Sequence, residues 1–75
     1  MKDGEILDST ILTNREKEVF ELLILNKSTG DIADALCISE KTVRNHISNV
    51  IQKLEVKTRY QAILKLIKLG ELKLN

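Results

Sequence analysis

Between Ser39 and Leu54 the chain reads SEKTVRNHISNVIQKL, and Val43, Ile47, Val50 and Leu54 recur there at spacings of four and three. At about 100° per residue these positions share one narrow arc, with Ile51 at its edge, which predicts an amphipathic helix with a core-facing stripe. The opposite arc carries Thr42, Asn45, Ser48, Asn49, Gln52 and Lys53, with Arg44 between the two faces. Ser39 is well suited to cap this helix, because its hydroxyl can accept a hydrogen bond from an orphan N–H of the first turn.

The rest of the chain divides by its start and stop signals. Met1 to Ile11 mixes charges with Gly4 and keeps no period, so a loose tail is expected over 1–11 and a domain over 12–75. Thr13 followed three residues later by Glu16 spells a capping box. It predicts a first helix from Asn14 to about Leu25, with Val19, Phe20, Leu22 and Leu23 inward and Asn26 as a left-handed stop. Ser28 with Asp31 repeats the signal and opens a short helix over about Thr29 to Leu36, burying Ile32, Ala33 and Leu36. Leu36, Cys37 and Ile38 then link it to the Ser39 helix, which should end near Glu55. Thr58 with Gln61 opens a fourth helix that continues to Leu69, where Gly70 stops it.

On this last helix Ala62, Ile63, Leu66 and Leu69 fill one arc, while Tyr60, Leu64 and Ile67 form a second stripe spaced i, i+4, i+7. The first arc is expected to close the core, and the second to form a contact surface. The fold class is therefore all-α, with four helices and short links. Its second and third helices have the layout of a helix-turn-helix, and the polar outer face of the third suits base edges.

Composition narrows this further. Seventy-five residues make one small domain whose core buries about 60% of the unfolded chain's surface. With no proline and only two aromatics, Phe20 and Tyr60, that core is aliphatic. Uncharged apolar runs fall far short of the roughly 20 residues of a membrane span. The acidic start (Asp3, Glu5, Asp8) also lacks a signal peptide's layout, so a cytoplasmic protein is expected. Cys37 is alone and has no internal disulfide partner; it reads as a small buried hydrophobe. No Cys/His cluster offers a metal ligand set, and neither metal nor cofactor is expected. Glu16 and Glu18, two apart on a helix, point away from each other, so no catalytic pair remains and the chain does not read as an enzyme. His46 lies near the apolar arc and reads as a partly buried structural residue or a phosphate contact rather than a pH sensor.

The formal net charge of +1 and a pI near 7.9 sit below the pI above about 9 of a strongly basic nucleic-acid domain. The charges are nevertheless uneven. Acidic residues crowd the first third, whereas Lys41, Arg44, Lys53, Lys57 and Arg59 gather around the third helix and its exit. A basic patch is thus compatible with a nearly neutral chain.

Leu12-Thr13-x-Arg15-Glu16-x-Glu18-Val19, Ile32-Ala33, Ile38-Ser39-x-x-Thr42-Val43-Arg44-x-His46-Ile47, Lys53-Leu54 and Arg59-x-x-Ala62 together resemble the LuxR-type (FixJ/NarL-type) DNA-binding domain. The likeness runs without gaps from about Leu12 to Gly70. Asn26, where the family usually has glycine, and Gly30, near the start of the second helix, depart from it. Met1 stands eleven residues before the motif, so the chain is expected to be an effector alone. Its Gly70-Glu71-Leu72-x-Leu74 ending is similar to that of a stand-alone member that regulates late sporulation genes.

The resemblance implies that the third helix enters the major groove of double-stranded DNA, with Arg44, Asn45 and Ser48 at base edges. It implies phosphate contacts from Ser28, Thr29, Lys41, Thr42 and Lys53, a homodimer paired through Tyr60, Leu64 and Ile67 on the last helix, and RNA polymerase as a further partner. Two classes of function follow. One is a sequence-specific transcriptional regulator. The other is a protein-interaction module, an adaptor or anti-activator on the same scaffold, which the modest net charge favours.

Overall fold

The computed structural model describes residues 11–73. The tail expected over 1–11 lies outside them apart from Ile11, as does Leu74. Four helices follow one another: α1 (Asn14–Ile24), α2 (Thr29–Leu36), α3 (Glu40–Leu54) and α4 (Arg59–Lys68). Among the described residues there is no strand, so the all-α expectation holds.

Each helix begins at a hydroxyl. Thr13, Ser28, Ser39 and Thr58 accept from the N–H groups of Glu16, Asp31, Thr42 and Gln61, respectively. In α1 and α2 the bond is returned, Glu16 and Asp31 accepting from the cap's own N–H. Two of a helix end's orphan donors are satisfied in this way.

The four ends also share one device. Asn26, Cys37, Glu55 and Gly70 all have positive φ, between 57° and 78°. At each, the N–H of the following residue reaches back five residues: Lys27 to Leu22, Ile38 to Ala33, Val56 to Ile51 and Glu71 to Leu66. The left-handed residue itself donates three residues back. This is the Schellman closure, which turns the chain sharply and satisfies carbonyls that would otherwise be orphaned. Glycine fills that position in α4 only; at the other three ends an L side chain carries the cost of the left-handed region.

α3 packs against each of the other helices. Val43, Ile47, Val50 and Leu54 are all buried, together with Leu12, Val19, Phe20, Ile32, Ala33, Ala62, Leu66 and Leu72. Leu22, Leu23 and Leu36 are only half-buried at the edge of this core. Two expectations are corrected. Cys37 is exposed rather than buried, because it occupies the left-handed turn position, from which its side chain leaves the core. Leu69 is 50% exposed: α4 has ended, and the reversal at Gly70 brings Leu72 back over Leu66 to fill the place Leu69 was expected to take.

Lys53 pairs across the fold with Glu16. Its Nζ lies 2.5 Å from Glu16 Oε1 and 3.3 Å from the Ile11 carbonyl, so it faces the start of α1. Glu16 is only 3% exposed, and a carboxylate so buried needs a partner. Burial raises its pKa, but the Lys53 hydrogen bond, the Thr13 N–H and the lysine charge more than reverse this and hold it below the usual 4.5. A carboxylate whose folded pKa is lowered contributes stability above the unfolded value and loses it as pH falls through the folded one.

Lys53→Met should therefore lower stability at neutral pH by about 2 kcal/mol, the cost of leaving a buried acceptor without its charged donor. The gap to wild type should narrow in thermal melts as pH drops below 4.5. A gap of the same size at neutral pH and near pH 3 would show that the pair contributes nothing through charge.

Candidate nucleic-acid interface

α3 has only one face in the core, and that face fixes the direction of the other. Arg44, Asn45, Ser48, Asn49 and Gln52 are exposed on it. Residues three and four apart on a helix are neighbours, so Ser48 stands one turn beyond both Arg44 and Asn45. The structure thus brings the three expected base readers together on open surface, on the longest helix, whose inner side is held at Val43, Ile47, Val50 and Leu54.

The first turns of α2 and α3 stand side by side. Ser28 and Lys41 are exposed, and Thr29 and Thr42 are partly so. Thr29 Oγ1 donates to Glu40 Oε1 at 3.3 Å, a contact that ties the start of α2 to the first residue of α3. Ser39 Oγ accepts from the Thr42 N–H at 3.0 Å and donates to Thr42 Oγ1 at 2.9 Å. Four of the five expected phosphate contacts therefore sit near one another, close to the N-terminal ends of two helices, where backbone N–H groups and the helix dipole favour anions. Lys53, the fifth, pairs with Glu16 with its side chain 35% exposed.

Glu40 also stands on this surface, exposed at the start of α3. Its Oε1 lies 3.6 Å from Arg44 Nη1, and the sequence signals this, since a glutamate four residues before an arginine on a helix is the favourable orientation for an ion pair. His46 is partly buried, as expected. On α4, Tyr60 and Leu64 are 74% and 60% exposed. Ile67 of the same stripe is half-buried against the core. Lys65, between the stripes, donates to the Leu54 carbonyl at 2.9 Å, a cation on the C-terminal end of α3 where the dipole is negative. Among the described residues no group of histidine, cysteine and carboxylate side chains could hold a metal, and no helix is long and apolar enough to cross a membrane.

A helix anchored by one face and open on the other, set behind a short helix by the three-residue turn 37–39, defines a helix-turn-helix module of the DNA-binding transcriptional regulators. The chain belongs to the luxR family of bacterial regulatory proteins, whose family model matches residues 10–66. It is 58% identical over 74 residues to the spore germination protein GerE of Bacillus subtilis, a match covering 99% of this chain and all of that protein. It is 51% identical over 63 residues to the transcriptional regulatory protein DegU of Brevibacillus brevis, covering 84% of this chain but 27% of that longer protein. The solved structure of the transcription factor GerE superposes with a TM-score of 0.87 at 61% identity, over 89% of this chain and all of that one.

Aim of the exposed face depends on where α3 begins, and Ser39 fixes that point. Ser39→Ala should lower stability by about 1 kcal/mol, equivalent to roughly 4–8 °C in melting midpoint for a domain of this size. An unchanged midpoint in a thermal melt would show that the cap does not support the helix.

Proposed function

We propose that the protein is a transcriptional regulator that binds duplex DNA sequence-specifically as a homodimer, with α3 in the major groove. Arg44, Asn45 and Ser48 meet base edges, arginine being the usual bidentate reader of guanine and asparagine of adenine. Ser28, Thr29, Lys41 and Thr42 hold phosphates and set the register. The observation that carries this reading is the outer face of α3: it is exposed and polar, with Arg44, Asn45 and Ser48 together on it, on the helix whose other side is the centre of the core. Lys53 is left out, because its ammonium already has a buried partner.

The dimer contact proposed is the α4 stripe of Tyr60, Leu64 and Ile67. Tyrosine and leucine side by side at 74% and 60% exposure are an unusual surface for a small monomer. In a two-fold pair Leu64 lies near the axis and meets its own copy or a close neighbour. The two α3 helices then address half-sites about 10 bp apart. Similarity to a spore germination protein over its whole length supports a setting in spore formation, at the nucleoid in the cytoplasm, with RNA polymerase as the partner through which a bound regulator acts.

A net charge of +1 favours the other reading, a protein-interaction module on the same scaffold. Titration against a random duplex at several salt concentrations separates the two. Binding that weakens as salt rises, with a slope of about 0.9 per phosphate contacted, is expected; no binding at low salt would reject the DNA reading. Within it, Arg44→Ala should cost about 1–3 kcal/mol on a preferred site and relax one base position. An unchanged sequence preference would remove Arg44 from the readers.

For the assembly, Leu64→Glu should give a folded monomer that keeps weak non-specific binding and loses most affinity for a two-half-site operator. Sedimentation at matched concentrations is the check: a monomeric wild type, or a Leu64→Glu variant that still pairs, rules out the α4 interface.

A further inference from the structure

Glu40 is the one acidic residue in the first turn of α3, on a surface that otherwise offers donors. Its Oε1 accepts from Thr29 Oγ1 at 3.3 Å and lies 3.6 Å from Arg44 Nη1. Its Oε2 rests against Gly30, where an added Cβ would sit 3.5 Å away. One carboxylate therefore engages the start of α2 and the second turn of α3 together. The Arg44 and Glu40 side chains are 57% and 55% exposed, and ion pairs so open to water add little to stability.

We infer that Glu40 sets the specificity of the surface, aiming Arg44 at a base and opening the Thr29 hydroxyl to a phosphate only when the carboxylate is displaced from it. The inference rests on the DNA-binding reading above. A hydroxyl and a guanidinium are the donor types that DNA phosphates take, and here a carboxylate oxygen accepts from the hydroxyl and stands 3.6 Å from the guanidinium. On any sequence a phosphate approaching Thr29 meets a like charge already seated there, and a random sequence offers no base contact to offset that cost. On a preferred sequence the balance differs. Arginine has five N–H donors in a planar fork; with Nη1 drawn toward Glu40 at 3.6 Å, the remaining donors stay available to guanine O6 and N7 and lose less freedom on binding.

The two effects act in the same direction. Removing the carboxylate's charge strengthens random binding, and removing its hold on Arg44 blurs base choice. Removing one unit charge next to a phosphate, in water-exposed surroundings, corresponds to a change of about three- to tenfold in affinity.

The test uses the full chain and two duplexes, one selected by wild type from a randomised library and one a scramble of it. Glu40→Gln should tighten binding to the scramble about three- to tenfold, leave the selected duplex within about twofold, and flatten preference at one base position. Glu40→Asp keeps the charge on a shorter arm, so it should leave scramble affinity low while still flattening that position. Glu21→Gln, which removes an exposed carboxylate from α1, is the control for net charge. An equal gain from Glu21→Gln, or an unchanged ratio between the duplexes in Glu40→Gln, overturns the inference while leaving the DNA-binding reading intact. If wild type binds neither duplex at low salt, the DNA-binding reading fails and the inference fails with it. Because Glu40→Asp is read independently, a poorly folded Glu40→Gln does not shelter the inference: undiminished base preference in Glu40→Asp also overturns it.

Discussion

Val43, Ile47, Val50 and Leu54 line one side of α3, and the other three helices find their places by packing on that side. A chain of 75 residues builds one core and no more, so a single helix has to serve as both its centre and its exposed working edge. The division of α3 into an aliphatic half and a polar half is what makes this workable. Aliphatic burial fixes the rotation of α3 about its own axis, because turning it by one residue, about 100°, would expose valine and bury asparagine. The direction in which Arg44, Asn45 and Ser48 point is thus set by residues on the far side of the helix.

Rotation alone does not fix the helix along its axis, and polar contacts at both ends do that. Ser39 defines the first turn, while at the other end the Lys65 ammonium sits on the Leu54 carbonyl. Lys53 crosses to Glu16, which also closes the cap of α1. Glu16 therefore joins the beginning of the first helix to the end of the third through one carboxylate. The Schellman closures do the same work at the turns: each reverses the chain within two residues, leaving the links too short to let the helices slide.

Much of this was legible in the sequence, and the parts that were not share a cause. Helix starts were readable because a cap is a local device: Thr13 with Glu16, Ser28 with Asp31 and Thr58 with Gln61 are each three residues apart, and the structure forms all three. The buried arc of α3 was readable from its period. By contrast, Lys53 and Glu16 are 37 residues apart, and no period or cap signal links them; by its surroundings in the sequence Lys53 looked like one more cation on a polar face. Leu69 fits the apolar arc of α4, but the wheel does not register that the helix has stopped and that a left-handed Gly70 brings Leu72 into the vacated place. Cys37 was placed by its apolar neighbours, whereas its backbone conformation decided its exposure. The clustering of Arg44, Asn45 and Ser48 was evident from spacing, but the bridge from Glu40 to Thr29 required the packing of α2 on α3 to be known.

These internal commitments bear on how so weakly charged a chain can hold DNA. Of the cations gathered around α3, Lys53 is neutralised by Glu16 and Arg44 is shared with Glu40. A monomer thus presents less positive charge than its sequence counts, and the sequence-independent part of its affinity, which scales with phosphates neutralised, is correspondingly small. In the proposed reading, base contacts and pairing of two copies make up the difference. In the proposed dimer the second half-site is engaged at high effective concentration, so two individually modest interactions combine into a tight one without further charge. A low net charge then ceases to count against DNA binding: weak attraction to random sequence, coupled to paired readout, widens the interval between specific and non-specific sites, which is the quantity that matters among a genome's many competitors.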